Sequence, residues 1–406
     1  MMKICFIADI RSPIARSWIS FFPARGHEVH ILATRAPNVK DSIPGATVHS
    51  LGESLHKEAE ASSIKYLLDP STLHGRGALK IWSDVFQPIK CLTLTTKARY
   101  LVETIKPDIV HALRIPIEGE LGARLGVHPF LISIWGNDLT LHASNSIAHR
   151  VLTRRALAEA DGIIADAEVD LIRARSFGAT SNTPTLKVPG CGGMNREVFF
   201  PGPADRNVLC RLGVGANRPI VLNARGYRSY IRNDVFLAAI PKLLKVRPDT
   251  LFIGVGLKDW KTASNWIKRS GTSSSVILTP PLAQSDLAEL YRAASVAISP
   301  AEHDGTPNTL LETMACGCFP ICGDLPSIRE WITPDVNGIL IDPSDPDAMA
   351  RAIIRGLADC GFRERATRCN AALVAQHADY DKCMAGAEGF YAQVLKRPLN
   401  PAFSYS

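Results

Sequence analysis

Short runs rich in Ile, Val and Leu alternate with longer amphipathic stretches along almost the whole of this chain. Continuous apolar runs suit strands buried on both faces, and the stretches between them suit helices that cross back over a sheet. The alternation therefore predicts parallel sheets covered by helices. In the first half the strands are expected near Ile4 to Asp9, Val29 to Ala33, Ile109 to Ala112, Phe130 to Ile134, Gly162 to Ala165 and Leu186 to Val188. In the second they are expected near Pro219 to Ala224, Thr250 to Gly254, Ser275 to Leu278, Val296 to Ser299, Phe319 to Cys322 and Gly338 to Ile341. The second series carries helices from about Asn233 to Val246, Leu287 to Ala294, Pro307 to Ala315 and Asp347 to Ala358, then on through the charged tail to Lys396.

The 406 residues exceed what one hydrophobic core serves, so two domains of roughly 150 to 200 residues are expected. The Gly- and Pro-rich stretch VPGCGGMNREVFFPGP breaks the pattern and is the natural connection between them. The expected organisation is residues 1–195, residues 196–378, and a terminal helix and tail over 379–406. From Ser54 to Gln87 the signals mix helix and turn, including His74-Gly75-Arg76-Gly77, and read as an insertion that can serve as a flap over an acceptor.

Several classes of function fall away on composition. No run of about 18 uncharged apolar residues is present, so no transmembrane helix is expected. MMKICFIADI reads as a first strand rather than a leader, which gives a cytoplasmic expectation. The net charge of +7 favours phosphate-bearing small molecules or an anionic membrane surface, the latter as a peripheral contact. Lys and Arg are scattered and no aromatic stacking motif accompanies them, so nucleic acid is not expected as a partner. Cys316, Cys318 and Cys322 lack CxxC pairing and a nearby His, and read as small buried side chains rather than metal ligands.

The chemistry concentrates in SPAEHDGTPNTLLETMACGCFPICGDLPSIREWI. A strand feeds a polar loop, and a helix is expected to begin with Thr306 as N-cap and Pro307 as its first residue. The backbone N–H groups of Asn308, Thr309 and Leu310 then point out of a positive helix end, a receptor for phosphate. Gly305 allows close approach of a ligand to the backbone. Asp304 stands before the helix and Glu312 within it, so the two carboxylates can take hydroxyls at opposite ends of a diphosphate ligand.

Residues Gly254 to Ala350 resemble the carboxyl-terminal domain of the family-four (group one) retaining glycosyltransferases, which have the GT-B fold. The resemblance rests on Gly254 and Gly256 in FIGVG, on SDLAELYRAASVAISP, on DGTPNTLLETMACGCFP and on LPSIREWITPDVNGILIDPSDPDAMA. It implies two Rossmann-like domains facing across a cleft, with the C-terminal helix packing back on the N-terminal domain. The family places Glu, seven residues, then Glu; this chain has Asp304 and Glu312. The resemblance thus gives Asp304, one methylene shorter, to the donor sugar and Glu312 to the ribose of the nucleotide. It gives Arg225 to the leaving diphosphate. Tyr230 stands where the family has Lys, and Arg228 or Arg232 is the candidate replacement.

The amino-terminal half resembles the family in ARGHEVHIL, in DIVHALRIP with His111, and in LISIWGNDL with Gly136 and Asp138. Trp135 replaces a His common in the family, and Ser12-Pro13 replaces its first-loop glycine pair. In GGMNREVFFP, Gly193 takes the family's Gly place and Asn195 the place of an Asp. Asp138 is the best polar candidate of this half, for acceptor or donor hydroxyls. The resemblance further implies transfer of a sugar from a nucleoside diphosphate to an acceptor hydroxyl with retention, without metal or other cofactor. The acceptor is a saccharide, a lipid-linked saccharide or a small molecule. Two alternative functions stay open: a nucleotide-sugar epimerase of related fold, and a non-catalytic donor-binding partner. A nicotinamide dehydrogenase is disfavoured, because FIGVG lacks the full glycine fingerprint opening a helix.

Overall fold

The computed structural model describes residues 1–37, 41–52, 87–215 and 218–396. The expected insertion, about 54–87, lies almost wholly outside the described residues. The chain divides into two compact units, one of Met1–Gly192 with Cys383–Ser406 and the other of Gly193–Lys382.

The first unit is built on seven parallel strands: β1 (Lys3–Ala8), β2 (Glu28–Ala33), β3 (Ala46–Ser50), β4 (Ile109–Leu113), β5 (Phe130–Ile134), β6 (Gly162–Ala165) and β7 (Thr185–Lys187). Their order is β3-β2-β1-β4-β5-β6-β7. Ile4 pairs with Val29 on one side and Ile109 on the other. β4, β5 and β6 are buried at every residue, as uninterrupted apolar runs require of a sheet covered on both faces. β3 is an addition to the expected set. Its sequence, ATVHS, pairs only with β2 and is half-exposed along its length, so it lacks the apolar run that marks the central strands. Helix α1 (Pro13–Ala24) follows β1, with Pro13 in its first turn and the Ser12 hydroxyl accepting from the Ala15 N–H.

The C-terminal helix, Tyr380–Leu395, belongs for most of its length to this first unit. The Tyr391 side chain is wholly buried, its hydroxyl accepts from Trp18 Nε1 at 3.1 Å, and it bonds to His111 Nδ1. His111 Nε2 lies 2.9 Å from the Ser133 hydroxyl. Burial pushes the His111 pKa down to about 3, so its imidazole is neutral. The strand histidine is therefore a structural member of the core that seats the last helix.

The second unit has six parallel strands: β8 (Ile220–Asn223), β9 (Leu251–Val255), β10 (Val276–Thr279), β11 (Val296–Ser299), β12 (Phe319–Gly323) and β13 (Ile339–Ile341). Their order is β10-β9-β8-β11-β12-β13. The step from β8 to β11 reverses the direction in which strands are added, a switch point of the kind that opens a ligand crevice at the carboxyl ends of the strands. Two helices matter for that crevice, α2 (Gln284–Ala293) and α3 (Asn308–Ala315). The charged tail, expected as one helical run to Lys396, is two helices, Cys360–His377 and Tyr380–Leu395. They part at Ala378, whose carbonyl accepts from the Met194 N–H at 2.6 Å, while the Tyr380 N–H donates to Met194 O at 3.1 Å. Gly193 makes this approach possible: a Cβ there would stand 3.0 Å from the Ala378 and Asp379 carbonyl oxygens, and its φ is +87°. Among the described residues no helix is long and apolar enough to cross a membrane.

Candidate functional site

At the carboxyl edge of the second sheet, the loop after β8 and the loop after β11 meet. Arg225, two residues beyond β8, points its guanidinium at the start of α3. Nη2 donates to Asp304 Oδ2 at 2.5 Å and Nη1 to the Thr309 hydroxyl at 2.8 Å. The Arg225 side chain is 10% exposed and that of Asp304 12%, so the pair is largely removed from water. Nε of Arg225 is buried without a hydrogen-bond partner among the described residues. Burial, the largest single influence, works against the arginine's charge, but Asp304 together with Tyr230, Tyr291 and Cys322 raises the Arg225 pKa. Burial raises the Asp304 carboxyl, against the pull of Arg225 and of the Gly305 N–H. The loop that carries Arg225 is fixed from beneath: the Arg225 N–H donates to Asn223 Oδ1 at 3.1 Å, Asn223 Nδ2 to Asn233 Oδ1 at 2.9 Å, and Asn233 Nδ2 to Gly226 O at 2.9 Å.

Helix α3 starts one residue later than the sequence reading has it. Pro307 occupies the N-cap in extended conformation, with no side-chain cap bond. Thr306, expected as the cap, is buried, and its hydroxyl accepts from Trp331 Nε1 at 3.1 Å. The shift narrows the expected phosphate receptor. The Leu310 N–H donates to Pro307 O at 2.9 Å, which leaves Asn308 and Thr309 as the N–H groups of the opening turn directed out of the helix. Ser327 Oγ donates to Asp304 O at 2.7 Å and fixes the loop from the other side.

Glu312 sits one turn deeper. It is buried, and the Tyr291 hydroxyl of α2 donates to its Oε2 at 3.0 Å. Oε1 has no hydrogen bond among the described residues. Burial lifts the Glu312 pKa to about 7, against the lowering effect of Tyr291 and Arg225. Near neutrality this group therefore changes from a carboxyl that can donate to a carboxylate that only accepts. Tyr291 was not among the sequence-derived residues. Its place in the helical repeat of SDLAELYRAA marks a core residue, and nothing in the pattern says that its hydroxyl meets a carboxylate two elements away.

The remaining expected residues divide by what holds them. Gly256 has φ +72°, and a Cβ on it would stand 3.2 Å from the Gly226 Cα, so the loops after β8 and β9 touch back to back only because both are glycine. Gly254 lies within β9, where a Cβ would meet Leu257 Cδ1 at 2.9 Å and Leu278 Cδ2 at 3.0 Å; packing accounts for it. Arg232 is committed to Asp234 at 2.7 Å and Glu302 at 2.8 Å. Arg228 is exposed and donates to Tyr227 O at 2.9 Å. Of these two only Arg228 has a guanidinium outside an ion pair. Asp138, in the first unit, is 0% exposed at its side chain. Its Oδ1 accepts from Arg114 Nε at 3.1 Å and Nη2 at 2.7 Å, and its Oδ2 from the N–H groups of Trp135 at 3.1 Å and Ile115 at 3.3 Å. Four donors fill its acceptor capacity, so Asp138 acts by positioning its neighbours and not by meeting a hydroxyl itself. Cys316, Cys318 and Cys322 are buried free thiols, and burial pushes the Cys316 and Cys322 pKa values up to about 12.

Two parallel α/β units, one with a guanidinium and two carboxylates gathered at a helix amino end, define a protein of the GT-B type. Residues 211–372 match the family described as glycosyl transferases group 1, and residues 3–167 match the family glycosyl transferase 4-like. The chain belongs to the group 1 glycosyltransferases. Curated relatives include the D-inositol 3-phosphate glycosyltransferases of Streptomyces bingchenggensis, 27% identical over 58% of this chain and 54% of that one, and of Xylanimonas cellulosilytica, 28% identical over 60% and 59%. The chain thus spans about half the length of the curated relatives it matches. Among solved structures, sucrose-phosphate synthase from Thermosynechococcus elongatus has a TM-score of 0.78 at 17% identity, over 97% of this chain and 99% of that one. HepE of Anabaena in complex with UDP and glucose has a TM-score of 0.71 at 17% identity, over 97% and 100%. These likenesses bear out the expected GT-B fold.

Proposed function

We propose that the protein transfers a sugar from a nucleoside diphosphate sugar to an acceptor hydroxyl, with retention at the anomeric carbon. The observation that carries this reading is the Arg225 guanidinium, held by Asp304 and Thr309 at the opening of α3 and keeping a buried Nε without a hydrogen-bond partner among the described residues. In this reading the diphosphate lies against the Asn308 and Thr309 N–H groups and Arg225. Glu312 Oε1 takes ribose hydroxyls, and Asp304 takes hydroxyls of the donor sugar. Solved neighbours of the same fold that bind UDP and UDP-glucose support a uridine nucleotide as the first donor to try.

As the bond between the anomeric carbon and the phosphate oxygen breaks, negative charge grows on the diphosphate, and Arg225 is already placed to meet it. Loss of such a preorganised donor typically costs about 3 to 4 kcal/mol of transition-state stabilisation. The acceptor oxygen forms its bond on the face the diphosphate leaves, and its proton passes to a diphosphate oxygen. Close positioning does the work that a strong base would otherwise do. No metal has a part in this scheme, because guanidinium and helix end supply the positive charge. The acceptor is a saccharide, a lipid-linked saccharide or a small metabolite, and the reaction is assigned to the cytoplasm. Incubation of the intact chain with UDP-glucose and candidate acceptors tests the reading. Formation of an α-linked glycoside with release of UDP supports it; epimerised sugar nucleotide without glycoside overturns it.

A further inference from the structure

The first unit gathers guanidinium groups at the carboxyl ends of three neighbouring strands, in a place the donor reading does not use. β2, β1 and β4 lie side by side in the sheet. The residues just beyond their ends are Arg35 after β2, Asp9 and Arg11 after β1, and Arg114 after β4. Neighbouring strands stand about 4.8 Å apart, so these side chains share one edge. Open parallel sheets take their ligands there.

Two carboxylates organise the cluster. Asp9 Oδ1 accepts from Arg11 Nε at 3.0 Å and Oδ2 from Arg11 Nη2 at 2.9 Å, and Arg35 Nε lies 3.5 Å from the same Oδ2. Asp138 holds Arg114 through one oxygen, Oδ1, which accepts from both Nε and Nη2, while the Arg114 guanidinium lies over the Trp135 ring at 5.6 Å from its centroid. The Arg114 backbone has φ 108° and ψ 158°. A residue with a side chain reaches that region only at a cost of about 1 to 3 kcal/mol, and persists there when its surroundings fix it. Here the fully buried Asp138, Asn137 Oδ1 at 3.0 Å and the Trp135 ring do so. A third carboxyl, Glu118, is buried beneath the cluster and accepts from the Thr34 hydroxyl at 2.8 Å. Burial raises its pKa, which favours its neutral form and reduces what it subtracts from the positive charge. Three guanidiniums thus face two ion-paired carboxylates, and each guanidinium side chain is about one-third exposed, at 31% for Arg11, 32% for Arg35 and 33% for Arg114. Asp166, the next carboxylate along this edge, lies beyond β6 and accepts from the Gly136 N–H.

We propose that this strand-end cluster receives an anionic group of the acceptor, a phosphate monoester, with Arg35 and Arg114 as the gripping cations and Asp9 and Asp138 holding them in place. A planar fork with parallel N–H groups matches phosphate oxygens, and its fixed orientation limits the entropy lost on binding. The inference rests on the sugar-transfer reading above and names the acceptor class for it. Trp135 then serves as the surface against which Arg114 is flattened.

The test is a titration of the intact chain, with and without saturating UDP, using myo-inositol 3-phosphate, myo-inositol and vesicles containing phosphatidic acid. The first and last probes separate a soluble phosphate from a lipid-borne one. The expected result is binding to one of the phosphate probes, at least about tenfold tighter than to myo-inositol. Arg35→Gln and Arg114→Gly should each lose about tenfold or more of that affinity, while UDP binding is unchanged. Arg114→Gly relieves the backbone strain but leaves the buried Asp138 carboxylate without its guanidinium, so its loss is read beside thermal unfolding; Arg35→Gln changes a side chain that is one-third exposed and is the readout that leaves the fold intact. Equal affinity for myo-inositol and its phosphate, unaltered phosphate affinity in Arg35→Gln, or no binding to either phosphate probe overturns the inference. Failure of the wild-type chain to bind UDP overturns the donor reading instead, and the two failures are read in separate titrations.

Discussion

Arg225 and Asp304 form a largely buried ion pair, 2.5 Å from Nη2 to Oδ2, that joins the loop after β8 to the loop before α3. In the proposed reading the pair sets the guanidinium where a diphosphate would need it. Breaking such a pair from one side leaves a charge buried alone, at a cost of about 3 to 5 kcal/mol. Arg225→Ala is therefore expected to lower both thermal stability and turnover. Asp304→Asn in the Arg225→Ala background should recover part of the stability and none of the turnover. Thermal unfolding of the two single variants and the double variant, read as a cycle, checks this; additive losses would show that the two side chains are not coupled.

Glu312 sets a pH dependence of defined sign. Its pKa rises from the usual carboxyl value to about 7 on folding, so the folded chain binds more protons than the unfolded one between roughly pH 4.5 and 7. The stability that Glu312 contributes is complete below that window and falls as the pH rises through it. Glu312→Gln should flatten this part of the stability profile. Affinity for a nucleotide should move the other way, rising from pH 6 to pH 8 as the carboxylate forms to accept ribose hydroxyls. Calorimetric titration with UDP across that range measures it, and a pH-independent affinity would contradict the role.

Tyr291 holds Glu312 by one oxygen and leaves the other for a ligand. Tyr291→Phe removes a hydrogen bond to a group that ionises, worth about 1.5 to 3 kcal/mol, while keeping the ring that packs in the core. The expected outcome is a nucleotide dissociation constant at least about tenfold higher, with the maximal rate changed less. A lower maximal rate at unchanged affinity would place Tyr291 elsewhere in the cycle.

All six strands of the second sheet, and six of the seven in the first, are legible in the sequence, most clearly the central ones, because a strand buried on both faces must be apolar throughout. β3 is the exception, an edge strand with a half-exposed polar sequence that gives no run to read. At the candidate site, Asp304 and Glu312 stand out in the sequence because a strand, a polar loop and a helix start fix their spacing, and Arg225 is reached through the family resemblance; the structure brings the three together. The helix start is misread by one residue because Thr306 answers to Trp331 rather than to the helix, a partner 25 residues away. Asp138 is misread for a similar reason: its carboxylate type suggests hydroxyl binding, but the four donors that fill it come from Arg114, Trp135 and Ile115. Long-range side-chain pairing of this kind leaves no periodic trace.

His111 gives a second pH signature, opposite in sign to that of Glu312. Its pKa falls on folding to about 3, so the unfolded chain binds the extra proton between pH 3 and 6.5. Stability from this site is present above that window and is lost as the pH falls through it. His111→Gln should flatten the acid limb of unfolding. Tyr391→Phe, which leaves Trp18 Nε1 without its acceptor, should cost about 1 to 3 kcal/mol. Acid unfolding followed by Trp fluorescence checks both.

The central claim is that the opening of α3, with Arg225, holds the diphosphate of a sugar nucleotide. A crystal structure of the intact chain with UDP tests it most directly. The predicted result places the ribose hydroxyls within hydrogen-bond distance of Glu312 Oε1, and phosphate oxygens at the Asn308 and Thr309 N–H groups and the Arg225 guanidinium. UDP bound in another position, with the Arg225–Asp304 pair and Glu312 untouched, would contradict the account.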